Sequence, residues 1–233
     1  MTDILKLSRD ELEAMSTAAE EVVECIRILA KTGDNIVGEL LKTEDTFYEW
    51  EHYPKGDIFD PESHSQFYYH AHRLGEHGHF HTFLRPKGMP AQCAPAPLPD
   101  YEPPEDEDDA LSHLVGISMD QHGLPIRLFA TNRWLTGEIW YPADDVCAML
   151  DNFDIDLAHP SWPVNRWIGA MLRLFRPQII DLLHERDATM AERAEVETDV
   201  NVYEDREHEI VSVMDISIDD QIQAITVALE ASA

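Results

Sequence analysis

Apolar positions recur at helical spacing toward both ends of this chain and alternate with polar ones through its middle. Ser8-Arg9-Asp10-Glu11 is a capping box. Leu12, Met15, Ala19, Val22, Val23, Ile26 and Leu29 follow it on one stripe, and Ile36, Leu40 and Leu41 continue after Gly33. The spacing predicts a long or glycine-interrupted amphipathic helix over 9–43. Residues 44–64, with Tyr53-Pro54-Lys55-Gly56-Asp57 and Asp60-Pro61, read as turns leading into a hairpin. Two apolar runs, 113–120 and 124–131, flank Gln121-His122-Gly123, a second hairpin signature. From Trp134 to Trp140 the pattern alternates again, with Trp134, Thr136, Glu138 and Trp140 on one face. Beyond Pro142 the pattern turns helical: a short helix to about Leu150, then one from Ser161-Trp162-Pro163 that Pro177 should kink or divide. A strand over 209–216 and a helix over 218–231, capped at Ser217 with Asp220, close the sequence. The expected fold is α+β: an antiparallel sheet of about five strands over 65–141, flanked by N- and C-terminal helices. We read 1–233 as a single domain, with a helical segment over 9–43 and a mainly helical part over 142–233.

The residues from Tyr68 to His81 change the picture most. His70, His72, His77, His79 and His81 fall at every second position on either side of Arg73-Leu74-Gly75-Glu76. Period two puts them on one face of a hairpin. A turn centred on Leu74-Gly75 sets His72 opposite His77, His70 opposite His79 and Tyr68 opposite His81. Cross-strand Cβ atoms lie about 4.5–5.5 Å apart, so the imidazoles would crowd one patch. The alternate positions, Phe67, Tyr69, Ala71, Gly78, Phe80 and Thr82, suit a core face. Five protonated imidazoles on one patch would repel each other, so they must be neutral, paired with carboxylates or bound to metal. A network of histidine–carboxylate hydrogen bonds, or a metal-free proton-transfer site, is the competing expectation. The single histidines, His52, His113, His122, His159, His184 and His208, carry the ordinary expectation of surface or hydrogen-bonded core residues.

The chain has 233 residues, 44% hydrophobic, with 17 basic against 46 acidic side chains and a formal charge of −29. That balance argues against binding a phosphate backbone. No apolar run approaches the ~18 residues that span a bilayer, and the first residues show no signal-peptide pattern. Three scattered cysteines, Cys25, Cys93 and Cys147, make neither a disulfide framework nor a thiolate zinc site. A cytoplasmic setting is the expectation. Seven of the fourteen prolines lie in 86–109, which ends in an acidic run. This reads as a solvated linker, with a lid over the histidine face as the alternative.

The string Tyr69-His70-Ala71-His72-Arg73, Glu76-His77-Gly78-His79-Phe80-His81 and Phe83, with Thr131-Asn132-Arg133-Trp134 and Pro160-Ser161-Trp162-Pro163, resembles an uncharacterised family of bacterial proteins over about 48–187. That resemblance implies no activity. The spacing His70-x-His72-x3-Glu76 is also similar to the first cupin motif, which implies metal binding inside a β-barrel. The glycines expected on either side of that motif are here His64 and Phe83, and no second motif is evident.

A set of neutral nitrogen donors suits a transition-metal ion, iron or zinc before copper or nickel, rather than calcium or magnesium. The expected metal ligands are His70, His72, His77, His79 and His81, with Glu76 and Arg73 as catalytic candidates. Tyr68, Glu138 and His113 are candidates to orient the imidazoles. His64 and Asp57 or Asp60 could reach the site from the preceding segment. Arg133, Trp134 and Glu138, near Asn132 and Trp140, form a second constellation fit for a small anionic or planar substrate. Phosphate loops, Gly-x-Ser-x-Gly elbows and His-Glu-x-x-His helices are absent from the sequence. The sequence favours a metal-dependent enzyme, with non-haem-iron oxidative or metal-assisted hydrolytic chemistry. A metal buffer, sensor or delivery protein is the alternative, and an acidic interaction protein such as a nucleic-acid mimic the third.

Overall fold

The stretch read as a long or glycine-interrupted helix over 9–43 takes the interrupted form: α1 (Arg9–Ala30) and α2 (Ile36–Leu41). The computed structural model describes residues 4–232 apart from 43, 45 and 99–101. Gly33 takes φ +76°, a left-handed conformation that ends the first helical run, and the Asn35 side chain accepts the Gly38 N–H to start the second. Ser8 and Glu11 close the capping box in both directions. Ser8→Ala removes that cap, and chemical denaturation should show a loss of about 1 kcal/mol.

Six strands form one antiparallel sheet in sequence order: β1 (Tyr53–Phe59), β2 (Ser65–His70), β3 (Gly78–Leu84), β4 (Ser112–Met119), β5 (Pro125–Thr131) and β6 (Ile210–Asp215). The fold is α+β, with one strand more than expected. β1 arises within the segment read as turns. The alternating stretch 134–140 is not a strand. Arg133–Thr136 make a one-turn helix, α3, capped by the Asn132 side chain and ended by Gly137 at φ +65°. The reason is tertiary: β6 arrives from the far end of the chain and takes the edge of β5, pairing Arg127 with Asp215 and Phe129 with Val213. The segment after β5 therefore has no strand edge to join. β1 and β6 are the two edges of the sheet, which is not the barrel that the cupin-like spacing implies.

The remaining helices are α4 (Ala143–Met149), α5 (Trp162–Leu174), α6 (Arg176–Val196) and α7 (Ile218–Ala231). Pro177 falls in the first turn of α6, so the division expected there lies at Phe175. Ser217 caps α7 through the Asp220 N–H. Among the described residues no helix is long and apolar enough to cross a membrane.

The sheet has two different faces. Phe67, Tyr69, Phe80, Leu84, Val115, Ile117, Leu128 and Ala130 pack into the main core with residues of α1, α2, α4, α5, α6 and α7. The other face carries Tyr68, His70, His79, His81, Phe83, His113 and Phe129, all buried. Loop residues contribute to this second face. Trp50 and His52 come from before β1 and stack on His72 and Tyr68, and Trp140, Met190 and Val202 form a small separate cluster with Leu98 and Tyr203 packed against it. The proline-rich segment is stitched down: the Ala94 N–H reaches Asp145, Ala96 N–H reaches the Trp140 carbonyl, and Arg85 pairs with Asp109.

Candidate metal centre

Strand pairing places the imidazoles. His70 lies opposite His79 and Tyr68 opposite His81, as the period-two pattern requires. The strands end there, because residues 71–77 form a seven-residue turn. His72 and His77 therefore do not face each other, contrary to the shorter turn expected at Leu74-Gly75. His72 leaves its strand but folds back onto the cluster: its ring is 4.7 Å from that of His70 and 5.1 Å from that of His79. His77 leaves in the other direction, to 3.0 Å from the Tyr69 hydroxyl, a side chain of the main core. The structure thus separates His77 from the other four.

One ring nitrogen from each of His70, His72 and His79 lies within 4.8 Å of the others, in an arrangement that could hold a metal ion. The Nε2 atoms of His70 and His79 are 2.6 Å apart. Nitrogens bound at ~2.1 Å to one ion stand about 3–3.4 Å apart, and His72, in the turn and only half-buried, is the ligand placed to close in. His79 Nδ1 donates to the Glu76 carboxylate. That bond fixes the tautomer and leaves Nε2 with its lone pair, as in carboxylate–histidine–metal arrangements. His72 Nε2 and His81 Nε2 are buried with no hydrogen-bond partner. A buried, unpaired nitrogen costs about 1–3 kcal/mol, and a bound ion would remove that penalty.

His81 stands beside the triad, its ring 5.2 Å from that of His70 and 4.9 Å from that of His79. Behind it runs a chain of hydrogen bonds: His81 Nδ1 to His113 Nε2 at 2.9 Å, and His113 Nδ1 to Thr131 Oγ1 at 3.3 Å. A register shift in β4 brings His113 to this face, opposite Phe83. Glu138 accepts the His113 backbone N–H at 2.8 Å.

Burial sets the charge state of the site. It pushes the His70 imidazole down to about 2, helped by positive charge on His79, His72, His52 and Arg73. Burial lowers His79 to about 4 against the pull of Glu76, and His113 to about 3. His81 is held well below its usual range and His72 is lowered, again chiefly by burial. Burial pushes the Glu76 carboxyl up, but the His79 and Ser118 bonds and nearby positive charge outweigh it and hold it below normal. Glu138, wholly buried, rises to about 7 despite Arg186 and the His113 N–H. The imidazoles are thus neutral near pH 7, the form that ligates metal.

The other expected site residues sit elsewhere. Arg133 pairs with Glu204, and Trp134 Nε1 donates to the His208 carbonyl. Both tie α3 to the segment before β6. Asp57 holds His52 and Gln66, and Asp60 caps its own loop and takes the Asp156 N–H. His64 lies against Phe59.

Sequence reasoning missed four contributors. Trp50 stacks on His72 with ring centroids 4.1 Å apart, and His52 on Tyr68 at 3.6 Å. The Phe129 ring meets the rings of His79 and His81 edge-on, at 5.3 and 5.5 Å. Gly116 leaves the space for that ring: a Cβ there would lie 2.2 Å from Phe129 Cζ. Only the last pair had a sequence signal, a lone glycine inside a strand pattern, which often marks a close approach.

Sheet, helical backing and buried imidazoles together define an α+β protein with a histidine cluster able to hold a metal ion. The chain belongs to the family described as a domain of unknown function (DUF6969), whose model matches residues 16–216. No curated protein and no solved structure matches it.

Proposed function

We propose that this protein binds one transition-metal ion through His70, His72 and His79 and uses it as the centre of an enzyme. The carrying observation is the orientation of donors: Glu76 turns the His79 lone pair toward His70, while His72 Nε2 and His81 Nε2 are buried and unpartnered. Three imidazoles leave coordination positions for water, dioxygen or a substrate oxygen. His81 either completes the set or, through His113 and Thr131, handles a proton beside it. Iron and zinc are the preferred ions for this donor set, with oxidative or hydrolytic chemistry respectively. Glu76 acts as the group that orients His79.

Elemental analysis of untagged protein grown with each candidate metal tests the reading. About one equivalent is expected in the wild type. Less than a tenth of an equivalent, or undiminished loading in a His70→Ala/His79→Ala variant, would sink it. Glu76→Gln keeps the size but weakens the acceptor, and metal affinity measured by competition with a chelator should fall about 10–100-fold.

A further inference from the structure

One charged group on the histidine face has none of its N–H donors in a hydrogen bond. Arg73 lies in the turn between His72 and Leu74, its side chain only 12% exposed. All three guanidinium nitrogens are buried and make no hydrogen bond. The nearest carboxylate, on Glu209, is 3.7 Å from Nε, beyond hydrogen-bond reach, and that side chain is 40% exposed. The guanidinium carbon sits 4.5 Å from the centroid of Phe129, the ring that also touches His79 and His81. Gly116, Phe129 and Arg73 are thus stacked from the sheet outward, and the cation ends beside the imidazoles. Its charge is felt by His70, His72, His79, His81 and His113 alike.

This arrangement is expensive unless something anionic enters. Five N–H donors without acceptors carry a desolvation cost that a bound acceptor would relieve. A divalent ion on three neutral imidazoles beside a guanidinium also leaves excess positive charge, with Glu76, among the described residues, as the one carboxylate bonded to the three imidazoles. Metal and guanidinium repel each other through a poorly screened interior, and an anion between them reverses that sign. Hydrogen bonding to a guanidinium runs in its plane, where the fork matches two oxygens of a planar carboxylate. The negative charges of Glu76 and Glu209 near Arg73 disfavour a dianion such as phosphate.

We propose that Arg73 and the histidine cluster form one substrate subsite, in which the guanidinium takes the carboxylate of a small organic acid that also reaches the metal. The proposal rests on the metal reading above and adds the chemical class of the ligand.

Acetate is the probe, used on the full chain in metal-free and Co2+-loaded forms, at constant ionic strength with chloride as the control anion. Metal content is measured separately. Acetate should perturb the cobalt spectrum and raise the Tm of both forms. Arg73→Gln should weaken acetate binding at least ~10-fold, equivalent to about 1.4 kcal/mol, with metal content unchanged. Arg73→Lys, which keeps charge and stem, should recover part of the loss and reports if the glutamine variant does not fold. Glu209→Gln should leave acetate binding intact or tighten it. An equal acetate response in wild type and Arg73→Gln overturns the proposal, and so does a response no larger than that to chloride. Tighter binding of inorganic phosphate overturns the carboxylate class. If no cobalt binds, the metal reading fails alone, and the metal-free Tm series still decides whether Arg73 holds a carboxylate.

Discussion

Taking the metal-free protein from pH 6.5 to pH 4.5 is expected to abolish most of its stability. His70, His79, His81 and His113 all protonate in the fold below the ordinary histidine value of 6.5, the first, second and fourth at about 2, 4 and 3. Between those values and 6.5 the unfolded chain binds protons that the folded chain refuses. Stability therefore rises with pH in that window and is lost as pH falls through it. Glu138 works the other way. Its folded value of about 7 exceeds the ordinary 4.5, so its contribution is present at low pH and lost as pH rises from 4.5 to 7. Each proton changes stability by about 1.4 kcal/mol per pH unit, so four histidines against one carboxyl give a net slope of about 4 kcal/mol per unit. A domain with ~5–15 kcal/mol in hand should unfold within about two to three units below 6.5. Urea midpoints at pH 7, 6 and 5 measure this directly. A flat profile would show that the buried imidazoles are not neutral. His113→Asn should flatten the slope by about one proton.

Gly116→Ala should destabilise the protein by about 1–3 kcal/mol, and Gly116→Val by more. The added Cβ would stand 2.2, 2.4 and 2.6 Å from three atoms of the Phe129 ring, closer than any real contact allows. That ring is fully buried, so it cannot swing into solvent. Moving it displaces the guanidinium of Arg73 and the edges of His79 and His81 together. The Gly116→Ala/Phe129→Leu pair, which returns volume to the same place, should recover part of the loss, as neighbours sharing a space do not behave additively. Urea denaturation reads the stability. A change below about 0.5 kcal/mol in Gly116→Ala would mean the ring has room that the structure does not show.

The site was legible where a strong local period coincided with a paired strand. His70, His79 and His81 sit in β2 and β3, so alternation alone put them on one face and set His70 opposite His79. The same logic failed two residues further on. Once the strands part at 71–77, backbone turns rather than the pleat direct the side chains, and His72 and His77 diverge. Arg73 and Glu76 were singled out from that same turn, yet their partners could not be named. Glu76 binds His79 across the turn, and Arg73 lies over a ring from β5, 56 residues later.

The sequence by itself determined the longer helices, the caps at Ser8 and Ser217, the interruption at Gly33 and a break close to Pro177, because these depend on neighbours within a turn or two. It also determined that one hairpin has a core face and a histidine face. Tertiary structure decided which residues complete the site. The long return of β6 displaced the expected strand over 134–140 and left Arg133 and Trp134 tying loops together. A register shift in β4 brought His113 behind His81. Burial then made the imidazoles neutral, since the cost of a charge depends on everything packed around it and not on spacing along the chain.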